Sequence, residues 1–230
     1  MKKPQLFLLH FAGGSSSSFQ FMIPLLKNFS VFTLELPGRG FRIDESLKKN
    51  FYHAAEDINN QILSRLDGSN FIIYGHSMGA NLGLKVTELL EKANKPPTYL
   101  FVSGSDGPTL KSKKRYLLNN DDLKKELEKF GGVPPEVLES EDFLDFYLPI
   151  LRADFEVAEK DTYVELIVDT PIYAMMGKDE EDVDNIENWT NFTKSTFNYR
   201  LFEGGHFFIF NHSKEIVRII TETYYARIFV

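Results

Sequence analysis

The chain has 230 residues, of which 43% are hydrophobic, and its 33 acidic against 26 basic residues give a net charge of −7. This length suits one domain over residues 1–230, whereas the acidic balance argues against nucleic acid, whose phosphates require clustered positive charge. The absence of cysteine excludes disulfides, thiol catalysis and cysteine-ligated metal, and no apolar run approaches the roughly 20 residues that span a bilayer.

Short apolar runs recur along the chain and predict β-strands. The first run is too short for a signal peptide, so we expect a cytoplasmic protein without membrane contact. Segments of helical period alternate with the runs, which favours parallel strands joined by helical crossovers in an open, three-layer α/β sheet. The predicted strands are residues 5–10, 31–36, 71–74, 98–103, 171–176 and 198–202, and the helical segments include 51–66, 81–93 and 189–194.

One stretch, about residues 106–169, contains no convincing strand and predicts a helical insertion. Its helix-like pieces are residues 111–118, 121–130, 135–138 and 141–159. The apolar side chains of the last piece either pack the insertion onto the main core or form a lid over an apolar substrate channel. These side chains are Phe143, Phe146, Tyr147, Leu148, Ile150, Leu151 and Phe155.

The segment G-H-S-M-G at residues 75–79 lies between a predicted strand and a predicted helix. In that context it has the pattern of a nucleophile elbow, a sharp turn that exposes one serine at the carboxyl edge of a sheet. Ser77 is therefore the candidate nucleophile. A serine hydroxyl is a weak nucleophile, so it needs a neighbouring base and an acid that orients the base.

Histidine 206 is the candidate base. It follows a late strand and a pair of glycines, in a loop able to overhang the carboxyl end of the sheet, and the chain order Ser, acid, His is that of α/β-hydrolases. Of the other four histidines, we expect His53 on the surface, His212 at a helix start and His76 inside the elbow, pointing away from the nucleophile. His10 precedes the glycines of the first loop.

The acid is one of four consecutive carboxylates after the fifth predicted strand. Aligning Gly177 and Val183 with a G-x-x-D-x-x-V pattern places Glu180 at the acid position. Asp179 is one residue early but has the commoner side chain. Both residues stay open as candidates at this point.

Stabilising a developing oxyanion requires two backbone N–H donors. Met78, the residue after the nucleophile, is one candidate, and Ala12 in the Gly/Ser-rich loop after the first strand is the other. The alternatives for this loop are a plain turn or a phosphate-binding loop, but neither G-x-G-x-x-G nor a G-K-[ST] ending is present.

Six segments in chain order resemble the type II thioesterases. These are stand-alone α/β-hydrolases that accompany nonribosomal peptide and polyketide synthetases, and they are also similar to a mammalian medium-chain fatty-acid thioesterase. The segments are F-A-G-G at 11–14, L-P-G-R-G at 36–40, G-H-S-M-G at 75–79, G-G-V-P at 131–134, and residues 146–154 and 202–208. The resemblance covers nearly the whole chain.

The resemblance implies hydrolysis of acyl thioesters on the phosphopantetheine arm of an acyl or peptidyl carrier protein, with the insertion as a mobile lid. It implies no cofactor and no metal, and we expect a monomer. This sequence departs from the family where His10 replaces a proline and where Glu180 replaces an aspartate. The second departure leaves the acid assignment open.

Two basic features admit a structural or a functional role. Arg39 in the L-P-G-R-G turn either pairs with a carboxylate and fixes its loop, which we favour, or contacts substrate. Lys111, Lys113, Lys114 and Arg115 either form a solvated face or meet an acidic carrier protein or the pantetheine phosphate.

Other functions compete with carrier-bound thioester hydrolysis. The same triad could serve a carboxylesterase, lipase or peptidase acting on free small molecules, or a medium-chain fatty acyl thioesterase. It could also transfer the acyl group to an amine or alcohol. The last alternative is a non-catalytic binding module on a hydrolase scaffold, against which the intact Ser77 and His206 argue.

Overall fold

A computed structural model of the protein describes residues 2–108, 113–130, 139–160 and 166–229. Its centre is a six-stranded sheet in which each neighbouring pair of strands is parallel, in the order β2-β1-β3-β4-β5-β6. The strands are β1 (Gln5–Leu9), β2 (Ser30–Thr33), β3 (Phe71–His76), β4 (Leu100–Ser103), β5 (Ile172–Gly177) and β6 (Phe197–Phe202). All six predicted strands are confirmed, with ends shifted by a few residues.

Helices connect the strands and cover both faces of the sheet, as buried parallel strands require. Among the described residues, the α-helices are α1 (Phe51–Leu63), α2 (Met78–Lys92), α3 (Asn120–Phe130), α4 (Glu141–Glu159), α5 (Phe208–Asn211) and α6 (Ser213–Ile228). Helices of 3-10 type span Ser16–Phe19, Ile23–Leu25, Gly40–Arg42, Arg115–Leu117 and Val183–Phe192.

Two apolar cores lie on the opposite faces of the sheet. One packs the inner faces of α1 and α2 against alternate strand residues such as Phe7 and Ile73. The other packs α6 and the segment after β1 against the intervening residues, including Leu8 and Tyr74. Adjacent strand residues therefore serve different cores, which explains the continuous apolar runs in the sequence.

Two helix predictions are wrong in their limits. A helix over 189–194 is replaced by the 3-10 helix Val183–Phe192, because Thr193 is extended and pairs with Val168 as an isolated parallel bridge. Of the predicted piece 111–118 the structure describes residues 113–118, and among these only the turn Arg115–Leu117 forms, because Lys114 takes a left-handed conformation (φ 51°). The predicted piece 135–138 lies outside the described residues.

Candidate active site

The chain leaves the neighbouring strands β1 and β3 in opposite directions along the sheet. Strand β1 connects to β2 on one side of the sheet, whereas its other neighbour, β3, connects to β4 on the opposite side. The carboxyl ends of two adjacent strands whose connections diverge leave a crevice, the usual ligand position in open α/β sheets. The Gly/Ser-rich loop after β1 and the segment 75–79 meet at this point.

Ser77 occupies a strained turn between β3 and α2. Its φ of 56° and ψ of −116° lie outside the regions that L-residues favour. This backbone conformation is strained, so the surrounding tertiary packing must stabilise it. The Ser77 N–H donates to the Ser103 carbonyl of β4 at 2.7 Å. A Cβ atom on Gly79 would lie 2.3 Å from the Leu9 carbonyl oxygen, so only glycine lets the elbow approach β1 this closely. The predicted strand, elbow and helix are thus all present.

His206 and Glu180 form a direct pair. The His206 Nδ1 and Glu180 Oε2 atoms are 2.7 Å apart, and the Gly177 N–H donates to Glu180 Oε1 at 2.8 Å. A carboxylate oxygen can only accept a hydrogen bond, so Nδ1 of His206 carries the proton and donates the hydrogen bond to Glu180. Nε2 is therefore the basic nitrogen. Asp179 is exposed and its N–H donates to the Gly204 carbonyl at 3.1 Å, so Glu180 is the carboxylate brought to the histidine.

His76 is fully buried and its ring packs against the His206 ring, with centroids 5.0 Å apart. Its Nδ1 lies 2.8 Å from the Ser103 hydroxyl, which is also 2.8 Å from the Tyr74 hydroxyl. Burial, and then the charge of His206, hold the pKa of His76 well below its usual value. The side chain turns into the core, as expected, but it forms the neutral packing surface of the candidate base, a role that the sequence pattern did not indicate.

Backbone donors are available on both sides of the crevice. Met78 is the first residue of α2, so its N–H has no acceptor within the helix. In the facing loop, Gly13 N–H donates to Asp154 Oδ2 at 2.7 Å and Gly14 N–H to the Phe11 carbonyl at 2.9 Å. Of the three N–H groups at 12–14, that of Ala12 has no acceptor among the described residues.

A buried ion pair fixes the same loop. Arg39 donates to both oxygens of Asp154, at 2.5 and 2.7 Å, and to the Gly14 carbonyl at 3.1 Å. The two side chains are only 4% and 0% exposed. Arg39 therefore pairs with a carboxylate and holds its loop, which is the structural role that we favoured from the sequence. Asp154 was overlooked, although a lone carboxylate on the apolar face of a predicted helix signals a buried partner.

Helix α4 lies directly over the loop after β1. A Cβ atom on Gly13, whose φ is +75°, would lie 2.1 Å from the Tyr147 hydroxyl. Burial raises the pKa of Tyr147 to about 12. Ala12 packs against an apolar cluster between α3 and α4, formed by Leu123, Leu127, Leu148, Leu151 and Phe155. Of the apolar side chains predicted to line a lid or pack the core, Phe146 is instead 54% exposed.

The remaining candidates are separate from the crevice or engaged within the chain. His53 is exposed, and His212 Nε2 lies 2.9 Å from the Glu203 carbonyl oxygen. Lys113 pairs with Glu181 at 2.6 Å, and Arg115 pairs with Glu159. Lys111 lies outside the described residues. These ion pairs argue against a free basic face at this end of the insertion.

The sequence matches the Thioesterase domain family over residues 4–224. It is 31% identical to the gramicidin S biosynthesis protein GrsT of Aneurinibacillus migulanus, over 95% of this chain and 88% of that protein. It is 28% identical to the medium-chain S-acyl fatty acid synthase thioesterase of Rattus norvegicus, over 92% of this chain and 83% of that one.

Among solved structures, the type II thioesterase BorB from the borrelidin biosynthetic cluster superimposes with a TM-score of 0.86 at 27% identity. The alignment covers 97% of this chain and 93% of BorB. Within the part of the chain that the structure describes, no helix combines the length and apolarity needed to cross a membrane.

Proposed function

Since this chain belongs to the thioesterase domain family, we propose that it hydrolyses acyl groups from the phosphopantetheine arm of a carrier protein, with Ser77, His206 and Glu180 as its triad. The chain is a serine-type acyl thioester hydrolase. The observation that carries the proposal is the 2.7 Å contact between Glu180 and His206, at the crevice where Ser77 is held in a strained elbow.

Acylation begins when Ser77 attacks the thioester carbonyl and His206 accepts the hydroxyl proton at Nε2. Glu180 keeps the other ring nitrogen protonated and stabilises the imidazolium that forms. The N–H groups of Met78 and Ala12 donate to the oxyanion of the tetrahedral intermediate. His206 then returns the proton to the leaving thiol, and the acyl group stays on Ser77.

Deacylation repeats the same steps with water as the nucleophile. His206 removes a proton from water, the hydroxide attacks the acyl-serine ester, and the oxyanion forms between the same two donors. Collapse of this intermediate releases the free acid and restores the Ser77 hydroxyl. The neutral His76 ring beside His206 adds no positive charge that would oppose formation of the imidazolium.

Two observations support carrier-bound thioesters as the substrate class. Relatives across most of the chain are named for the biosynthesis of particular products, among them GrsT for gramicidin S and the type II thioesterase BorB for borrelidin. The helices between β4 and β5 pack on the loop that holds Ala12, a position suited to a lid over the acyl channel, and residues 106–169 form this insertion in our proposal.

A comparison of substrates with equal acyl groups tests this proposal. Wild-type protein is assayed with an acyl-carrier protein, the matching acyl-pantetheine and a p-nitrophenyl ester, and products are separated as free acid, ester or amide. We expect free acid and the highest kcat/KM with the carrier-bound thioester, and Ser77→Ala should abolish turnover. Aryl esters cleaved much faster than carrier thioesters, or amide or ester products, would refute it.

The rat relative favours a second candidate, hydrolysis of medium-chain fatty acyl thioesters. The two functions differ in acyl length. A series of acyl-pantetheines from acetyl to dodecanoyl separates them, because a maximum at eight or more carbons supports the fatty acyl function.

A further inference from the structure

Four phenylalanines form a continuous strip that begins at the candidate catalytic histidine. The Phe207 ring is 5.2 Å from the His206 ring and 4.9 Å from the Phe11 ring. Phe207 stacks on Phe210 at 5.5 Å with an interplanar angle of 12°, and Phe210 meets Phe21 edge-on at 4.9 Å. We call Phe11, Phe207, Phe210 and Phe21 the aromatic strip.

The aromatic strip is partly exposed. Phe210 is 42% exposed, and the other three members are half-buried, with Phe11 and Phe21 also packing against the second core. They come from three separate segments. Phe11 lies in the loop after β1 and Phe21 in the turn beyond Ser16–Phe19, whereas Phe207 and Phe210 lie just before and within helix α5. A contiguous, partly exposed apolar surface beside a reactive group typically marks a binding site, whereas single exposed aromatics, such as Phe41, are ordinary.

The position of the strip identifies which part of a thioester it meets. The histidine of a serine hydrolase returns its proton to the leaving group, so surface adjacent to His206 flanks the leaving thiol. We assign the acyl side of the crevice to the apolar cluster between α3 and α4, which packs against the candidate oxyanion donor Ala12. The aromatic strip extends from His206 towards solvent, as an extended thiol arm must.

The chemistry of a pantetheine arm fits this surface. The arm carries short methylene segments, two amides and a geminal dimethyl group. Phenyl faces pack well against methyl and methylene groups, and a partly open site leaves the amides hydrated. On the basis of the proposed function, we propose that the aromatic strip is the subsite for the pantetheine arm of the leaving thiol, with Phe210 and Phe21 at the dimethyl end.

Variants of the two outer members test the subsite without touching the triad. Phe210→Ala and Phe21→Ala are compared with wild type and with Phe229→Ala, which removes a highly exposed phenylalanine of the C-terminal segment. One acyl group is presented on two thiols, pantetheine and N-acetylcysteamine, which lacks the dimethyl portion. Melting temperatures report any loss of folding, and the variant Phe210→Leu keeps an apolar side chain without the ring.

We expect each outer variant to lower kcat/KM for the pantetheine thioester by about 3- to 12-fold, mainly through KM, which corresponds to one aromatic contact. The N-acetylcysteamine thioester should change by less than about 2-fold, and Phe229→Ala should behave as wild type. Selectivity for the longer thiol should therefore shrink.

Equal losses of kcat/KM on both thiols would overturn the subsite. Wild-type protein that hydrolyses neither thioester would overturn the proposed function together with the subsite. Normal pantetheine thioester turnover that is unaffected in both outer variants would overturn the subsite alone.

Discussion

Asp154 and Arg39, which are 115 residues apart in sequence, form a fully buried two-point ion pair at 2.5 and 2.7 Å. The same carboxylate accepts the Gly13 N–H, and the same guanidinium donates to the Gly14 carbonyl. One charge pair therefore ties helix α4 and the L-P-G-R-G turn to both glycines beside the candidate oxyanion donor Ala12. Because Asp154 occupies the Gly13 N–H, the oxyanion role is left to the neighbouring amide.

Breaking this pair should lower stability and activity for different reasons: stability through an unpaired buried charge, and activity through loss of the anchors of the loop at residues 12–14. Arg39→Met leaves a buried carboxylate uncompensated and should lower the free energy of unfolding by about 3–5 kcal/mol. The double variant Arg39→Met with Asp154→Leu replaces both charges by apolar groups and should recover most of that loss. Urea unfolding measures both variants.

The double variant should nevertheless stay roughly 10- to 100-fold below wild type in kcat/KM, because the Gly13 and Gly14 backbone loses its anchors. Wild-type activity in the refolded double variant would show that the pair serves stability alone.

Replacing Glu180 should reduce catalysis far more than replacing Asp179. In Glu180→Gln an amide faces His206 Nδ1 and no longer fixes its tautomer, so the acylation rate should fall by about 10³- to 10⁴-fold. Asp179→Asn alters an exposed side chain and should change the rate by less than about threefold. Stopped-flow measurement of acylation with both variants decides the assignment, and the opposite ranking would return the acid role to Asp179.

His10 should make the fold sensitive to acid. Burial, and then the neighbouring Arg39 charge, lower the pKa of His10 to about 4. The unfolded chain takes up this proton near pH 6.5, so stability is lost as pH falls towards the folded-state value, by about 2 kcal/mol between pH 7 and pH 5. His10→Asn can keep the hydrogen bond to the Phe11 carbonyl and should lose less stability over this range. Identical pH dependence in wild type and His10→Asn would contradict the expectation.

Asp106 should make the fold less stable at high pH, which is the opposite of the effect of His10. Burial, and then the nearby Asp182 carboxylate, raise the pKa of Asp106 to about 6. Its contribution to stability is fully present below the unfolded value near pH 4 and is lost as pH rises through about 6. After allowance for solvent screening, Asp106→Asn should raise the free energy of unfolding by on the order of 1 kcal/mol at pH 8 and leave it unchanged at pH 4. Asp44→Asn replaces an exposed carboxylate and is the control, measured as the free energy of unfolding at the same two pH values. An equal increase in both variants would exclude burial as the cause.

The sequence alone determined the six strands, the α/β-hydrolase fold and the nucleophile elbow. Each depends on local signals: buried parallel strands are apolar throughout, and a strand, a glycine-flanked serine and a helix are contiguous. The thioesterase resemblance is confirmed as well. The catalytic roles of Ser77, His206, Glu180, Met78 and Ala12 stay predictions until the variants are measured.

Only the tertiary structure decided which carboxylate meets His206, because Glu180 and Asp179 are adjacent in one loop and a single residue of turn directs one inward and the other to solvent. It also decided the partner of Arg39 and the packing of His76 on His206. These contacts join segments far apart in sequence, and their geometry follows from how the sheet orders its strands, which no local pattern encodes.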